Sequence, residues 1–405
     1  MNDCFIRHLT ICSILMCCSC SQLSKESEAS VFVYTSSSSD QKIEELATAI
    51  RGAFFPETKA TSYDVQEISY LQSGTDTLAI SVDFSNDNGF VVVSQTDLTP
   101  LCVMTGGSLN YALENIPAFR LSFDTLLEEL SIPTPGPIDP IDTTFTSIVP
   151  LLINQFISAS VSPLIEVNMH QGYPFNMFTP NGLAGCTPIA IAQAFSVYDY
   201  PDSIDVTFSE SAISNLYLSW NDMKQHLSYH NNSACDYCIQ NGYLLREIGN
   251  RCQASYDQGV TGAWPTPECI GSFGFSSITL MGYNLNRLLS SLDAGYPTII
   301  CGFNSSQTIG HSWNIDGYYI QESTYDVVTI RGNEVIESNW IENIKDWYLH
   351  FNYGWGGAAN GYFLSRRERT KQFPGEEEGS YSVPISLFDT YYNTINRIVT
   401  HIKPN

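Results

Sequence analysis

Cys186 stands at a point in the sequence where a thiol could do chemistry. It lies in NGLAGCTPIAIAQAF, residues 181–195, between a glycine-containing turn and an apolar run at helical spacing. We expect a helix to begin here, with Thr187 as its cap and Pro188 as its first residue. Cys186 would then lie at the helix N-terminus, where unpaired N–H groups and the helix dipole stabilise an anion. It is a candidate nucleophile, although a cysteine taken in isolation is more often inert and buried.

A thiolate nucleophile needs a base, and His311 is the best placed histidine. It lies in TIGHSWNIDGYY, directly after Gly310 and at the start of an apolar strand. An imidazole there can face a cleft while the sheet fixes its strand. Forty residues on, HFNYGWGG supplies Asn352, whose amide can accept from the imidazole, and Trp355, which can shield that bond from water.

The ordered motifs resemble those of the streptopain family of papain-like cysteine peptidases. NMHQGYPFN is similar to the family's glutamine-bearing segment, and GCTPIAIAQAFSVYDYP to its nucleophile helix. GHSWNIDGYY and HFNYGWGGAANGYF are similar to its histidine and glycine–tryptophan strands. NGFVVVSQTDLTPLCVMTGG resembles the family's propeptide, so the likeness covers most of residues 31–363. Each motif alone is weak, but the four motifs in this order are specific.

The resemblance implies a fold and a set of catalytic residues. The fold is α+β: a papain-like domain with a helical part and an antiparallel β part, preceded by a small α+β propeptide domain. Cys186 is implied as the nucleophile, His311 as the base and later the acid, and Gln171 as the oxyanion donor beside the Cys186 backbone N–H. Asn352 and Trp355 are implied to orient or cover the imidazole. The resemblance implies neither a cofactor nor a metal.

Three further features follow from the same comparison. Gly185 and Gly310, which precede the nucleophile and the base, are the candidate substrate-binding positions. Tyr353 stands where the family usually has Trp, which leaves its role open. The highly charged segment 365–380 stands where streptopain has a glycine-rich loop beside the cleft, so substrate preference and activation can differ from those of the family.

The N-terminus is predicted to be an export signal. Residues 1–20 contain one Arg, an apolar run too short to span a bilayer, and the sequence CCSC before polar residues. This pattern resembles a bacterial lipobox with Cys20 as the lipidated residue. Cys18 is a competing acceptor, and a simple cleaved signal peptide is the alternative.

The remaining chain is predicted to form two domains. Residues 21–132 form the propeptide domain, with a helix at 41–54, three strands and a second helix. Residues 133–144 contain four prolines and form a linker open to proteolysis. Residues 145–405 form the peptidase domain, which we expect to start helical around Cys186 and to become strand-rich from about 296.

Composition narrows the set of partners. The net charge is −24, from 18 basic and 42 acidic residues, which argues against nucleic acid as a partner. We expect protein or peptide substrates, with the propeptide as an intramolecular inhibitor and membrane contact only through a lipid anchor. The expected location is the bacterial cell envelope, periplasmic or at the surface, or outside the cell after processing.

Cysteine spacing leaves two structural alternatives. His226, His230, Cys235 and Cys238 have the spacing of a zinc site. In an exported chain these two cysteines, with Cys252, Cys269 and Cys301, are more readily explained as disulfide partners, and the sequence does not give the pairing. Seven cysteines follow the signal, so at least one is left free or pairs with another chain.

Two other function classes fit the same fold. One is a catalytically inactive surface binding protein, an adhesin or inhibitor. The other is a different acyl-transfer enzyme, such as an amidase or a transglutaminase-like protein. Against the first stands the presence of a nucleophile, a base and an oxyanion glutamine.

Overall fold

The structure is a computed structural model, and it describes most of the chain. The described residues are 32–33, 40–56, 63–73, 76–95, 99–131, 146–208, 212–227, 235–257, 260–303, 310–331, 334–374, 381–385 and 395–405. The predicted signal peptide with Cys20, the predicted linker at 133–144, and His230 of the zinc pattern lie outside them.

The described residues contain eight helices and seventeen strands. The helices are α1 (Asp40–Phe54), α2 (Leu109–Asn115), α3 (Pro117–Ser131), α4 (Cys186–Ser196), α5 (Trp220–Met223), α6 (Asp236–Arg251), α7 (Pro267–Gly271) and α8 (Leu285–Asp293). The strands are β1 (Phe32–Val33), β2 (Val65–Ser73), β3 (Asp76–Phe84), β4 (Phe90–Ser94), β5 (Pro100–Met104), β6 (Thr146–Val161), β7 (Ser203–Val206), β8 (Ile213–Tyr217), β9 (Ser255–Asp257), β10 (Val260–Gly262), β11 (Phe275–Met281), β12 (Thr298–Phe303), β13 (Gly310–Arg331), β14 (Glu334–Asn352), β15 (Gly361–Gln372), β16 (Tyr381–Ile385) and β17 (Ile395–Pro404).

One thirteen-stranded sheet organises the fold and gives the α+β class that the sequence predicts. Its order is β1-β2-β3-β4-β5-β15-β14-β13-β12-β17-β11, with β6 added beside β13 and β16 beside β15. Its strand pairings are antiparallel, as expected when strands follow one another without crossover helices. The strands from β12 to β15 carry the histidine and glycine–tryptophan motifs and so position the candidate base.

The N-terminal segment continues this sheet. Strand β5 pairs with β15 through the partners Met104↔Gly361 and Cys102↔Phe363. One buried cluster joins the two segments, because Phe119 of α3 packs with Phe363 of β15 and with Tyr353, which follows β14. The helix expected at 41–54 and the three expected strands are present. The sequence did not indicate β5 or its pairing with β15.

A second buried cluster surrounds helix α4. All its residues after Cys186 are buried, and Phe195 stacks on Phe275 of β11 with ring centroids 4.0 Å apart. A helix that is apolar all round is suited to such a central position. The expectation that this segment starts helical was wrong, since the long strand β6 precedes α4.

Among the described residues, no helix combines the length and the apolarity needed to cross a bilayer.

Candidate active site

The candidate nucleophile lies at the first position of helix α4. The helix begins at Cys186, and Gly185 is its N-cap with φ +94°, a conformation that favours glycine. A Cβ at Gly185 would also lie 2.6 Å from Thr261 Cγ2, so a side chain has no room there. The expectation that Thr187 caps the helix before Pro188 was therefore wrong by two residues. The Thr187 hydroxyl instead donates to the Ala263 carbonyl at 2.9 Å.

The candidate base faces this thiol from the sheet. His311 is the second residue of β13, opposite Gly302 of β12, and its side chain is buried. It lines the same cleft as Cys186, and the charge of each group favours the charged form of the other. A ring contact joins Nε2 to the Tyr353 carbonyl oxygen at 3.2 Å. Because a carbonyl can only accept, Nε2 carries a proton in this contact and Nδ1 is left for Cys186.

The surroundings favour an ion pair of these two groups. Burial opposes ionisation of the Cys186 thiol, but the charge and hydrogen bond of His311 outweigh it, helped by the backbone N–H groups of Ser312 and Thr187. Together they lower the pKa of Cys186 from 9.0 to about 7. Burial also disfavours a charged His311, yet the Cys186 thiolate and the Tyr353 carbonyl raise the pKa of the imidazole above 6.5. This is the pattern of an activated nucleophile with its base.

Asn352 does not contact the imidazole, contrary to the sequence-based expectation. Its Oδ1 accepts from Gln193 Nε2 at 2.9 Å and from the Gly354 N–H at 3.2 Å. Gln193 in turn accepts from Asn314 Nδ2 at 3.0 Å. The Asn352 and Gln193 side chains together therefore tie helix α4 to strands β13 and β14. The group that contacts His311 is the backbone carbonyl of the next residue, Tyr353.

Gln171 and Trp355 line the same cleft as the thiol and the imidazole. The cleft has a volume of about 590 Å³. Its walls are formed by Tyr111, Pro117, His170, Gln171, Gly172, Leu183, Cys186, Thr261, Gly310, His311, Trp355 and Gly356. Gly310 is thus a wall residue, whereas Gly185 is not among these lining residues. The cleft brings together every predicted catalytic residue except Asn352.

The loop that carries Gln171 is held by its own hydrogen bonds. The Gln171 carbonyl accepts from the Ala184 N–H at 3.1 Å, which ties it to the turn before α4. The ring of His170 accepts from the Gly172 N–H at 3.1 Å and contacts the Leu227 carbonyl through Nε2 at 3.2 Å. Burial lowers the pKa of His170, although the Leu227 carbonyl partly opposes this. A neutral His170 fits the acceptor role of its Nδ1.

The N-terminal segment reaches the cleft, which sequence reasoning missed. Tyr111 of α2 and Pro117 of α3 are among its lining residues. The Tyr353 ring is buried beside α3, at 6.0 Å from the Phe119 ring, and its hydroxyl lies 3.3 Å from Ser122 Oγ. Tyr353, whose carbonyl contacts His311, therefore also contacts the N-terminal segment through its ring. No motif around Tyr111 or Ser122 could have indicated these contacts.

The remaining cysteines are divided between one disulfide and several free thiols. Cys252 and Cys269 are joined, which fits the expectation of disulfides in this region. Cys235 and Cys238 are free, with their sulfur atoms 2.8 Å apart at the start of α6. Cys301 is free and buried. Within the described ranges no cluster of three or more His, Cys, Asp or Glu side chains could hold a metal ion, and His226 contacts the Asp222 carbonyl instead.

A thiol–imidazole pair in a cleft between a central helix and an antiparallel sheet defines the class of papain-like cysteine peptidases. The Peptidase C10 family model matches residues 169–363, and the chain is a cysteine-type peptidase that is similar to this family over that stretch. That stretch holds the thiol, the imidazole, Gln171 and Trp355. The comparison with curated proteins found no match.

Solved structures agree at the level of the fold. The chain is similar to a fragment of prointerpain A from Prevotella intermedia, solved as a cysteine-to-alanine mutant, at 20% sequence identity and a TM-score of 0.50. The match covers 85% of this chain and 100% of the fragment. Because the match extends well beyond residues 169–363, the N-terminal segment shares in this likeness.

Proposed function

We propose that the chain is the exported zymogen of a cysteine endopeptidase. In this proposal Cys186 attacks the peptide carbonyl, and His311 takes the thiol proton and later gives it to the leaving amine. The observation that carries the proposal is that the Cys186 thiol, at the start of helix α4, and the buried His311 imidazole line one cleft. Protein or peptide chains are the proposed substrates.

The oxyanion of the tetrahedral intermediate is the next requirement. We assign its stabilisation to the Gln171 side chain and the Cys186 backbone N–H. Cys186 is the first residue of α4, so its N–H has no partner within the helix. Gln171 lines the same cleft from a loop anchored to Ala184. Loss of one such donor is expected to lower turnover by roughly 10²–10³-fold.

The imidazole is oriented by backbone rather than by a side chain in this proposal. The Tyr353 carbonyl accepts from Nε2 and thereby directs Nδ1 towards the sulfur. Asn352 contributes indirectly, because its oxygen accepts from the Gly354 N–H and so fixes the turn after Tyr353. Trp355 covers the cleft beside this turn.

We assign intramolecular inhibition to the N-terminal segment. Tyr111 and Pro117 occupy one wall of the cleft, where a substrate chain would otherwise extend. Cleavage between this segment and the peptidase part would remove both. Export, lipid attachment at Cys20 and a cell-envelope location complete the proposal, and they rest on the N-terminal sequence alone.

The test uses purified residues 21–405 with a reductant, beside the Cys186→Ala variant. Casein cleavage and precursor size are followed with and without an epoxide thiol inhibitor and a chelator. We expect inhibitor-sensitive, chelator-resistant cleavage in the wild type alone. A wild type that stays silent after the chain is cut near 133–144 would favour the inactive binding protein instead.

A further inference from the structure

Two hydroxyl groups beside the catalytic pair form a contact that the proposed mechanism does not use. Thr187 follows the nucleophile in the chain, and Ser312 follows the base. Thr187 Oγ1 and Ser312 Oγ are 2.8 Å apart, and both residues are buried. This hydroxyl bridge is a direct side-chain link from helix α4 to strand β13, one residue away from the reacting atoms.

The direction of the bridge follows from counting protons. Each hydroxyl has one proton to donate. The Thr187 proton is used on the Ala263 carbonyl at 2.9 Å, since a carbonyl can only accept. Ser312 must therefore supply the proton between the two oxygens. Thr187 Oγ1 thus accepts a hydrogen bond from Ser312 of the sheet and donates one to Ala263 in the segment after β10. The two hydrogen bonds together fix the rotamer of Thr187.

The same two residues adjoin the catalytic pair in the chain. Thr187 is bonded to Cys186 in helix α4, and Ser312 is bonded to His311 in strand β13. The thiol and the imidazole therefore keep their separation only while the helix and the sheet keep theirs, and the hydroxyl bridge spans that separation.

A third group closes the cluster on the sheet side. Cys301 lies opposite Ser312 in the β12–β13 register, and its sulfur is 3.3 Å from Ser312 Oγ. Burial raises the pKa of Cys301 to about 12, so it remains a thiol. The hydroxyls and the Cys301 thiol therefore carry no charge of their own, and the Arg397 guanidinium is a further charge that acts on Cys301.

We propose that the Thr187–Ser312 hydroxyl bridge is a positioning device that holds the Cys186 thiol in place against the His311 imidazole. The inference rests on the proposed thiol–imidazole mechanism and adds Thr187 and Ser312 to it as positioning residues. Loss of the bridge would let the helix and the sheet separate slightly, weakening the interaction of the thiol with His311. The thiolate would then form only at a higher pH.

The experiment measures the alkylation rate of Cys186 by iodoacetamide as a function of pH, in the full-length chain. Peptide mass spectrometry separates Cys186 from the other thiols, and no turnover is needed. Ser312→Ala is the main variant, because it removes the bridge while Thr187 keeps its bond to Ala263. Thr187→Val and the double variant complete a cycle. Thr187→Ser keeps the hydroxyl, and Ser196→Ala deletes a buried hydroxyl at the far end of α4.

We expect the inflection of the profile to move upward by about one pH unit in Ser312→Ala and Thr187→Val, a roughly tenfold loss of thiolate below it. The double variant should move no further than the larger single shift, and Thr187→Ser and Ser196→Ala should match the wild type. Unmoved profiles in Ser312→Ala and Thr187→Val, with unchanged thermal midpoints, would overturn the inference. A His311→Ala profile that coincides with the wild-type profile would show that His311 does not favour the thiolate. The proposed thiol–imidazole mechanism would then be wrong, and this inference with it.

Discussion

Phe119 on α3 is the buried side chain through which the N-terminal segment is most directly fixed to the sheet. Its ring is fully buried and lies 5.6 Å from the rings of Phe90 and Phe123, 5.8 Å from Phe363 and 6.0 Å from Tyr353. Truncation of a buried Phe to Ala costs about 3–5 kcal/mol, from lost burial and the cavity left behind. Because two of the four neighbours belong to the peptidase part, Phe119→Ala should both destabilise the chain and loosen the cleft wall.

The free energy of unfolding is measured by urea titration in a Cys186→Ala background, which prevents self-cleavage. Opening of the cleft is measured separately, as the alkylation rate of Cys186 in the chain that retains the thiol. Phe275→Ala is the matched control, since Phe275 is equally buried and stacks on Phe195 in the second cluster. It should lose similar stability without faster alkylation. A loss below about 1 kcal/mol in Phe119→Ala, or equal acceleration in both variants, would refute the reasoning.

Four further predictions concern the site and its surroundings. Burial opposes ionisation of Cys186, but His311 and two backbone N–H groups favour the thiolate and lower the pKa from 9.0 to about 7. The alkylation rate of Cys186 should therefore rise with an inflection near pH 7, and this inflection should move to higher pH in His311→Ala. Because the pKa of Cys186 is lower in the folded chain than in the unfolded chain, ionisation of this thiol stabilises the fold. The stabilisation is complete above pH 9.0 and is lost as the pH falls through about 7. Urea titrations of the wild type and of Cys186→Ala across this pH window will measure it. Gln193→Ala removes the amide that joins Asn314 to Asn352 and should cost roughly 1–3 kcal/mol of unfolding free energy, and an unchanged urea midpoint would contradict the network. Replacing both Cys252 and Cys269 by Ala opens a loop spanning 17 positions and should cost about 3 kcal/mol, measured by thermal unfolding against the wild type under oxidising conditions.

Sequence reasoning located the thiol and the imidazole of this cleft because their signals are local. Cys186 precedes an apolar helix and His311 opens an apolar strand, so each position could be inferred from its own neighbours. The glutamine segment and the tryptophan turn were found through the family resemblance. The cleft brings these four residues together, as that resemblance implied.

Backbone roles could not be inferred in the same way. Every residue has a carbonyl, so nothing in the sequence marks the Tyr353 carbonyl as the acceptor of His311. Asn352 has a conspicuous side chain and was given that role, whereas the structure uses it to bind Gln193 and the Gly354 N–H. The error came from assigning to a side chain what the main chain does.

Long-range pairing was equally hidden. Strand β5 pairs with β15 across more than 250 residues, and the patterns of neither strand specify the other. Tyr111 reaches the cleft because of this pairing and the packing of α2 and α3. Its contact with the cleft therefore depends on the tertiary structure and not on a motif.

Covalent trapping of the nucleophile tests the central claim most directly. The casein-cleaving protein is treated with an epoxide thiol inhibitor until activity is lost, and the modified peptide is identified by mass spectrometry. We predict one inhibitor molecule per chain, attached to Cys186, and much slower attachment in His311→Ala. Loss of activity with the inhibitor on Cys102, Cys235, Cys238 or Cys301 and with Cys186 unmodified would contradict the account.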